Sequence, residues 1–357
     1  MFWVKVMLLR NRIQQGKSMK ICIYGAGNIG CYLGGRLAAT GYDVDFIVRP
    51  QIQQQLQCYG LTVSDYLGEK NSVPASKLQL STDQNIAAQA NIIFVCVKSA
   101  ATEQVAHELK EILKKNTIII SFQNGLSNVA ILKQVLFGHT ILEGMVPFNV
   151  AALGNGVFHQ GTEGALYVKK HAGLNELVIA FNSAQLELKL EDDMQAIQWA
   201  KLLLNLNNSV NALSQLPLKQ QLSIRAYRQC LAMAQIEALE LLKIAKIKPA
   251  QLTALPAQFV PFVLKLPNSI FNIVNKKMLA IDPLARSSMA DDLMAGRATE
   301  IDWINGEVVR LATQLNLKAP INQKLIELIK QAEITPRAWS AKALRNQLEA
   351  VSKTGFK

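Results

Sequence analysis

A β-rich run, Lys20-Ile-Cys-Ile-Tyr24, leads straight into Gly25-Ala26-Gly27-Asn28-Ile29-Gly30 and then into a helical pattern. No other stretch constrains the fold so strongly. In a strand–turn–helix unit of this kind the first glycine permits the tight turn. The second lets the backbone approach a pyrophosphate, and the third lets the helix lie close on the strand. The helix N-terminus then offers its open N–H groups and positive dipole end to that anion. The surroundings agree: the helix reads from Asn28 to Thr40, stops at Gly41 as a left-handed cap, and is followed by a strand at Asp43–Val48. Gly25, Ala26, Gly27, Asn28, Ile29 and Gly30 are therefore candidate cofactor-binding residues.

The end of that second strand bears on the cofactor. An NAD site usually places an Asp or Glu there to hold the ribose 2′-hydroxyl. This chain has Arg49, followed by Pro50. A guanidinium pairs well with the 2′-phosphate of NADP, which a carboxylate would repel. The expected cofactor is NADP(H), the alternative being that Arg49 is a solvated surface arginine.

At 357 residues and 50% hydrophobic content, the chain is long enough for about two domains with substantial cores. Five cysteines, Cys22, Cys31, Cys58, Cys96 and Cys230, never fall in C-x-x-C spacing. They read as small core residues of a reducing compartment, with neither a disulfide framework nor a zinc site. The four histidines form no ligand-like cluster, so no metal is expected. The net charge of +12 is dispersed, apart from Lys5, Arg10, Arg12 and Lys17 in residues 1–18. An anionic cofactor and substrate account for it, and no nucleic-acid partner is expected. No apolar run approaches the ~20 residues of a membrane span. The apolar opening Met1–Leu9 lacks a following small-residue cleavage site, so a cytoplasmic protein is expected. Met19 precedes the first strand as a natural start would, and residues 1–18 read as an upstream start-site artefact or a loose extension.

From Met19 to about Asp192 strand and helix alternate. Asn91–Val97 and Thr117–Ser121 are near-continuous apolar runs, as in parallel strands covered on both faces. Between Ile141 and Lys169 the short pieces Gly156–His159 and Ala165–Val168 suggest an antiparallel addition to the sheet edge. Beyond Met194 the pattern is helical: Gln195–Asn211, Ile224–Ile247, Ser288–Asn316, Asn322–Glu333 and Ser340–Val351. The expectation is an α/β fold, with an N-terminal Rossmann-type doubly wound domain (19–192) and an all-helical C-terminal domain (193–357). The active site of such a chain is expected between the two.

Lys98 follows the strand Ile92–Val97, where residues line the ligand crevice of a parallel sheet. It reads either as a phosphate, ribose or carboxylate contact or as a solvated strand-end lysine. Asn124, before Gly125 at another strand end, reads either as a ribose or substrate ligand or as an Asn-Gly turn. Lys201 and Asn205 are four apart and share a helix face among Leu202, Leu203, Leu204 and Leu206. A desolvated lysine has a lowered pKa and serves as a general acid near neutrality. The other reading is a snorkelling surface lysine. Alone, Ser288 reads as a helix N-cap and Glu300 as a surface carboxylate. Their phases differ by about 120° on a straight helix, so both border one cleft only if the helix breaks.

Taken together these residues resemble the ketopantoate reductase family from Met19 to about Glu333. The strongest match is Ser287-Ser-Met-Ala-Asp-Asp-Leu293 followed by Thr299-Glu-Ile-Asp-Trp-Ile-Asn-Gly306. The glycine turn, Arg49, Lys98, Asn124 and Lys201-x-x-x-Asn205 fall in the family's order. The resemblance implies NADPH-dependent reduction of the ketone of 2-dehydropantoate to (R)-pantoate, a step towards pantothenate and coenzyme A. By it, Lys201 is the general acid, Asn205 and Ser288 hold substrate, Asn124 touches both ligands, and Glu300 meets the cofactor and the substrate hydroxyl. The only partner it implies is a small 2-oxo acid, with the protein a monomer or homodimer.

Three features depart from the family. Ser209 stands where the family's helix often repeats an asparagine, and on an ideal helix Asn208 lies nearer the Lys201 face, so Asn208 is expected to take part of that substrate contact with Ser209 a shorter and weaker partner, the alternative being that Asn207 and Asn208 only bond back to the helix or to solvent. Residues 1–18 are extra. The stretch between Leu213 and Leu284 is longer, with an apolar, proline-broken Ala257–Pro267 that reads as packing, a dimer contact or a substrate lid. Rival readings are a reductase of another branched 2-oxo acid and a non-catalytic NADP-sensing protein; the presence of both Lys201 and Glu300 argues against the latter.

Overall fold

The computed structural model describes residues 19–274 and 285–352. The expectations for residues 1–18 and for the end of the long segment, 275–284, lie outside these. The chain divides into two compact units. One holds the residues up to Gln123 together with Asn128–Met194; the other holds Asn124–Ser127 and the residues from Gln195 onward. The tetrapeptide Asn124–Ser127, read above as part of the nucleotide-binding domain, thus packs with the helical unit.

Among the described residues twelve strands build the first unit: β1 Ile21–Tyr24, β2 Val44–Ile47, β3 Leu61–Asp65, β4 Lys70–Val73, β5 Gln79–Ser81, β6 Ile92–Val95, β7 Ile118–Ser121, β8 Thr140–Met145, β9 Val150–Gly154, β10 Val157–Gln160, β11 Leu166–Lys169 and β12 Leu188–Glu191. Eight form one sheet in the order β12-β11-β8-β7-β6-β1-β2-β5. β1 pairs in parallel with β2 and β6, β6 with β7, and β7 with β8, which is the doubly wound pattern. Successive residues enter different cores: Ile21, Ile23, Ile92, Phe94 and Ile120 join one, while Cys22, Tyr24, Ile93, Val95 and Ile119 join the other. A strand buried on both faces has no polar side to alternate with, which explains the unbroken apolar runs.

The edge addition differs from expectation in one part. β11 runs antiparallel to β8, as expected. The piece at Gly156–His159 instead becomes β10 of a separate sheet in the order β4-β3-β10-β9. β10 pairs in parallel with β3 and antiparallel with β9. Leu61, Val63 and Phe158 of this small sheet bury into the core that also covers the helix Asn28–Ala39, so it is held by packing that the sequence between β8 and β11 does not encode.

In the helical unit, two of the long helices break. Residues 195–211 divide into Met194–Asn205 and Asn207–Ser214 around Leu206. The Ser209 hydroxyl donates back to the Leu206 carbonyl at 3.1 Å, a bond that bends helices. Residues 288–316 divide into Ser288–Met294 and Ile301–Gln314. Gly296 takes a left-handed φ of 62°, and the Thr299 N–H and hydroxyl both donate to Glu333, so the chain leaves the helix and is re-anchored before starting again. The Ala257–Pro267 segment forms short helical turns tied down by the buried Arg228. Its guanidinium donates to the carbonyls of Leu264 and Leu266 and lies 3.9 Å from the Phe271 ring centre.

Candidate active site

The glycine turn has the shape a dinucleotide requires. Gly25 has φ of +89°, and a Cβ there would lie 2.8 Å from the Val97 backbone nitrogen. At Gly27 a Cβ would meet nothing within 4 Å, which leaves the backbone open to a ligand. A Cβ at Gly30 would lie 2.7 Å from the Gly25 carbonyl, so helix and strand touch there. Gly27 is the N-cap of the helix Asn28–Ala39 and no side chain caps it. Ala26 is buried and its N–H donates to the Ile47 carbonyl; Ile29 packs against the core. The Asn28 amide donates to the Val150 carbonyl at 3.0 Å. Arg49 is exposed at the start of the helix Pro50–Tyr59. Lys98 is also exposed, but β6 ends at Val95 and Lys98 instead caps a short 3-10 turn, Ser99–Ala101.

The helical unit brings together residues far apart in sequence. Asn205 Nδ2 donates to Asn124 Oδ1 at 3.4 Å, and Asn124 Nδ2 donates to Glu300 Oε2 at 2.9 Å. Lys201 lies one turn before Asn205 on the same helix, among the buried Leu202, Leu203 and Leu206. Burial lowers its pKa from 10.5 to about 8, which places the ammonium near the range of a general acid at neutral pH. Glu300 sits at the N-cap of Ile301–Gln314, just past the break that the phase argument required.

The remaining substrate candidates differ in setting. The helix cap falls on Ser287, whose Oγ accepts from the Ala290 N–H at 3.2 Å; Ser288 is the first helical residue and is exposed. Ser287 is itself pinned to the helix Asn207–Ser214, its N–H donating to Asn211 Oδ1 and its hydroxyl to the Asn208 carbonyl. Asn208 is half-buried. Ser209 is fully buried with its hydroxyl on Leu206, and Asn207 donates to Gln221 at 3.2 Å. The sequence reading gave no site role to Asn211, Ser287 or Glu307. Glu307 accepts from the Leu126 and Ser127 N–H groups and from the Ser127 hydroxyl, and so holds the loop that carries Asn124. Its only sequence signal is its place two turns after Glu300.

Residues 21–173 match the family model described as ketopantoate reductase PanE/ApbA, and residues 193–333 match its C-terminal counterpart. The chain belongs to the ketopantoate reductase family. A relative from Pyrococcus horikoshii, named 2-dehydropantoate 2-reductase, is 28% identical over 321 residues, covering 88% of this chain and 98% of its own length. A ketopantoate reductase structure from Ralstonia eutropha JMP134 is 27% identical with a TM-score of 0.75, covering 89% of this chain and 99% of that one. The fold also extends to D-mandelate dehydrogenase, 21% identical with a TM-score of 0.74. No helix among the described residues is long and apolar enough to cross a membrane. No group of three or more metal-ligating side chains occurs among them, and all five cysteines are free thiols.

Proposed function

We propose that this ketopantoate reductase uses NADPH to reduce the ketone of 2-dehydropantoate to (R)-pantoate. The observation that carries the reading is the hydrogen-bonded series Asn205–Asn124–Glu300 with Lys201 one helical turn from Asn205. When bound, the nicotinamide supplies the hydride for the ketone carbon. The chain's residues then manage the charge that develops on the ketone oxygen. The Lys201 ammonium stabilises that oxyanion and donates its proton to it. A lysine with a pKa of about 8 is protonated at neutral pH and gives up its proton more readily than an ordinary lysine.

Asn205, Ser288 and Asn208 hold the substrate, Asn124 serves both ligands, and Glu300 accepts a hydrogen bond from the substrate hydroxyl. Ser209, with its hydroxyl taken by Leu206, is the weakest of these contacts. The open face of Gly27 and the uncapped helix start suit a pyrophosphate, and Arg49 selects the 2′-phosphate. Lys98 provides a second positive group for the anionic ligands. The deciding experiment follows NADPH consumption with 2-dehydropantoate, 2-oxoisovalerate and pyruvate. The expected result is the highest kcat/KM with 2-dehydropantoate. A clear preference for either of the others would transfer the activity to a different 2-oxo acid.

A further inference from the structure

Asn124 has the most exacting role in the proposed site, yet it lies on a four-residue loop. Glu307 holds the backbone of that loop. Glu307 Oε1 accepts the Leu126 N–H at 3.0 Å, the Ser127 N–H at 3.0 Å and the Ser127 hydroxyl at 2.8 Å. Arg310 pairs with both oxygens, Nε to Oε2 at 3.1 Å and Nη2 to Oε1 at 2.9 Å. The Glu307 side chain is 7% exposed. Burial alone would raise its pKa, but Arg310 and the loop donors outweigh burial and hold it below the ordinary carboxylate value, so it is ionised at neutral pH.

Gly125 completes the arrangement. It has φ of +88°, and a Cβ there would lie 2.7 Å from the Trp303 carbonyl and 3.2 Å from Glu307 Oε1. The loop therefore rests directly on the helix Ile301–Gln314, whose N-cap is Glu300. One helix carries both Glu300, which takes the Asn124 amide, and Glu307, which takes the backbone two and three residues further on. The Asn124 side chain is held at the N-terminal end of the helix, and the backbone of Leu126 and Ser127 by its middle.

We infer that Glu307 is a positioning residue: it fixes the Asn124 carboxamide for the ligands without touching them. This rests on the proposed reductase activity. Removing the carboxylate leaves two backbone donors unpaired and lets Asn124 move, and misplacement by about 1 Å at a reacting centre costs up to ~10²-fold in rate.

A double-mutant cycle tests it with wild type, Glu307→Ala, Asn124→Ala and the double variant, each read as kcat/KM for 2-dehydropantoate and as NADPH affinity. Glu307→Ala should lower kcat/KM by on the order of tenfold. In the Asn124→Ala background the same change should cost almost nothing, because the group it positions is gone. Glu307→Gln keeps an acceptor oxygen for the loop and should retain most of the activity. In wild type the amides of Leu126 and Ser127 should be protected from hydrogen exchange, and in Glu307→Ala they should exchange freely. Losses that multiply in the double variant, in rate and in NADPH affinity alike, would reduce Glu307 to a stabilising residue and overturn the inference. Should wild type oxidise no NADPH with any 2-oxo acid, the functional reading fails, and the cycle in NADPH affinity together with the exchange measurement still decides the role of Glu307.

Discussion

Asn124 donates to Glu300 across 176 positions of sequence, Nδ2 to Oε2 at 2.9 Å. Nδ2 donates to the carboxylate oxygen, so this bond sets which way the amide faces and turns Oδ1 towards the Asn205 amide. The orientation of one asparagine thus depends on two helices that the sequence separates by nearly a hundred residues.

Lys201→Ala should lower kcat by ~10²–10⁴-fold, the usual value of a general acid, while NADPH affinity measured by fluorescence stays near wild type. A variant that keeps most of its kcat would remove Lys201 from the chemistry.

The pH dependence follows from the same lysine. Its acid form is the active one, so kcat/KM should be level below about pH 8 and fall as pH rises through it. The effect on stability has the opposite sign. With the folded pKa at about 8 and the ordinary value at 10.5, the unfolded chain binds more protons between them, and stability rises with pH across that window. Lys201→Met should therefore raise Tm near neutral pH, with the gain fading towards pH 10.5. A gain that does not change with pH would show that burial does not penalise the ammonium.

Arg49→Ala should weaken NADPH by about tenfold, the lower end for a charge-assisted pair, because Arg49 is exposed. NADH should be nearly unaffected. Equal losses for the two cofactors would remove the basis for NADP preference.

Three neighbouring residues separate substrate contact from support. Asn208→Ala should raise KM for the keto acid several-fold. Asn207→Ala should leave KM unchanged and lower Tm, because its amide is spent on Gln221. Ser209→Ala should leave KM within error, its hydroxyl being bonded to Leu206. If Ser209→Ala alone raises KM, the contact belongs to Ser209.

Gly125→Ala should lower Tm by several degrees and kcat with it. A left-handed φ of +88° costs a non-glycine residue about 1–2 kcal/mol, and the added methyl meets the Trp303 carbonyl at 2.7 Å. Unchanged kcat in a folded variant would mean that the loop tolerates movement at Asn124.

The sequence by itself determined what depends on local pattern. The glycine turn, the helix that follows it and the doubly buried strands β1, β6 and β7 could be read from the spacing of glycines and apolar residues, because both faces of those strands must leave water. The order of Lys201, Asn205, Ser288 and Glu300 was equally legible, and Gly296 was an available stop signal for the helix that breaks before Glu300. Only the tertiary structure decided which unit receives Asn124, where β10 pairs, and that Leu206 interrupts the helix after Asn205. The first two depend on partners distant in sequence, Glu300 and Glu307 for the Asn124 loop and β3 for β10; the third depends on a local bond, from the Ser209 hydroxyl to the Leu206 carbonyl. A hydrogen bond between remote residues leaves no periodicity in either segment, so its effect is visible only once the chain has folded.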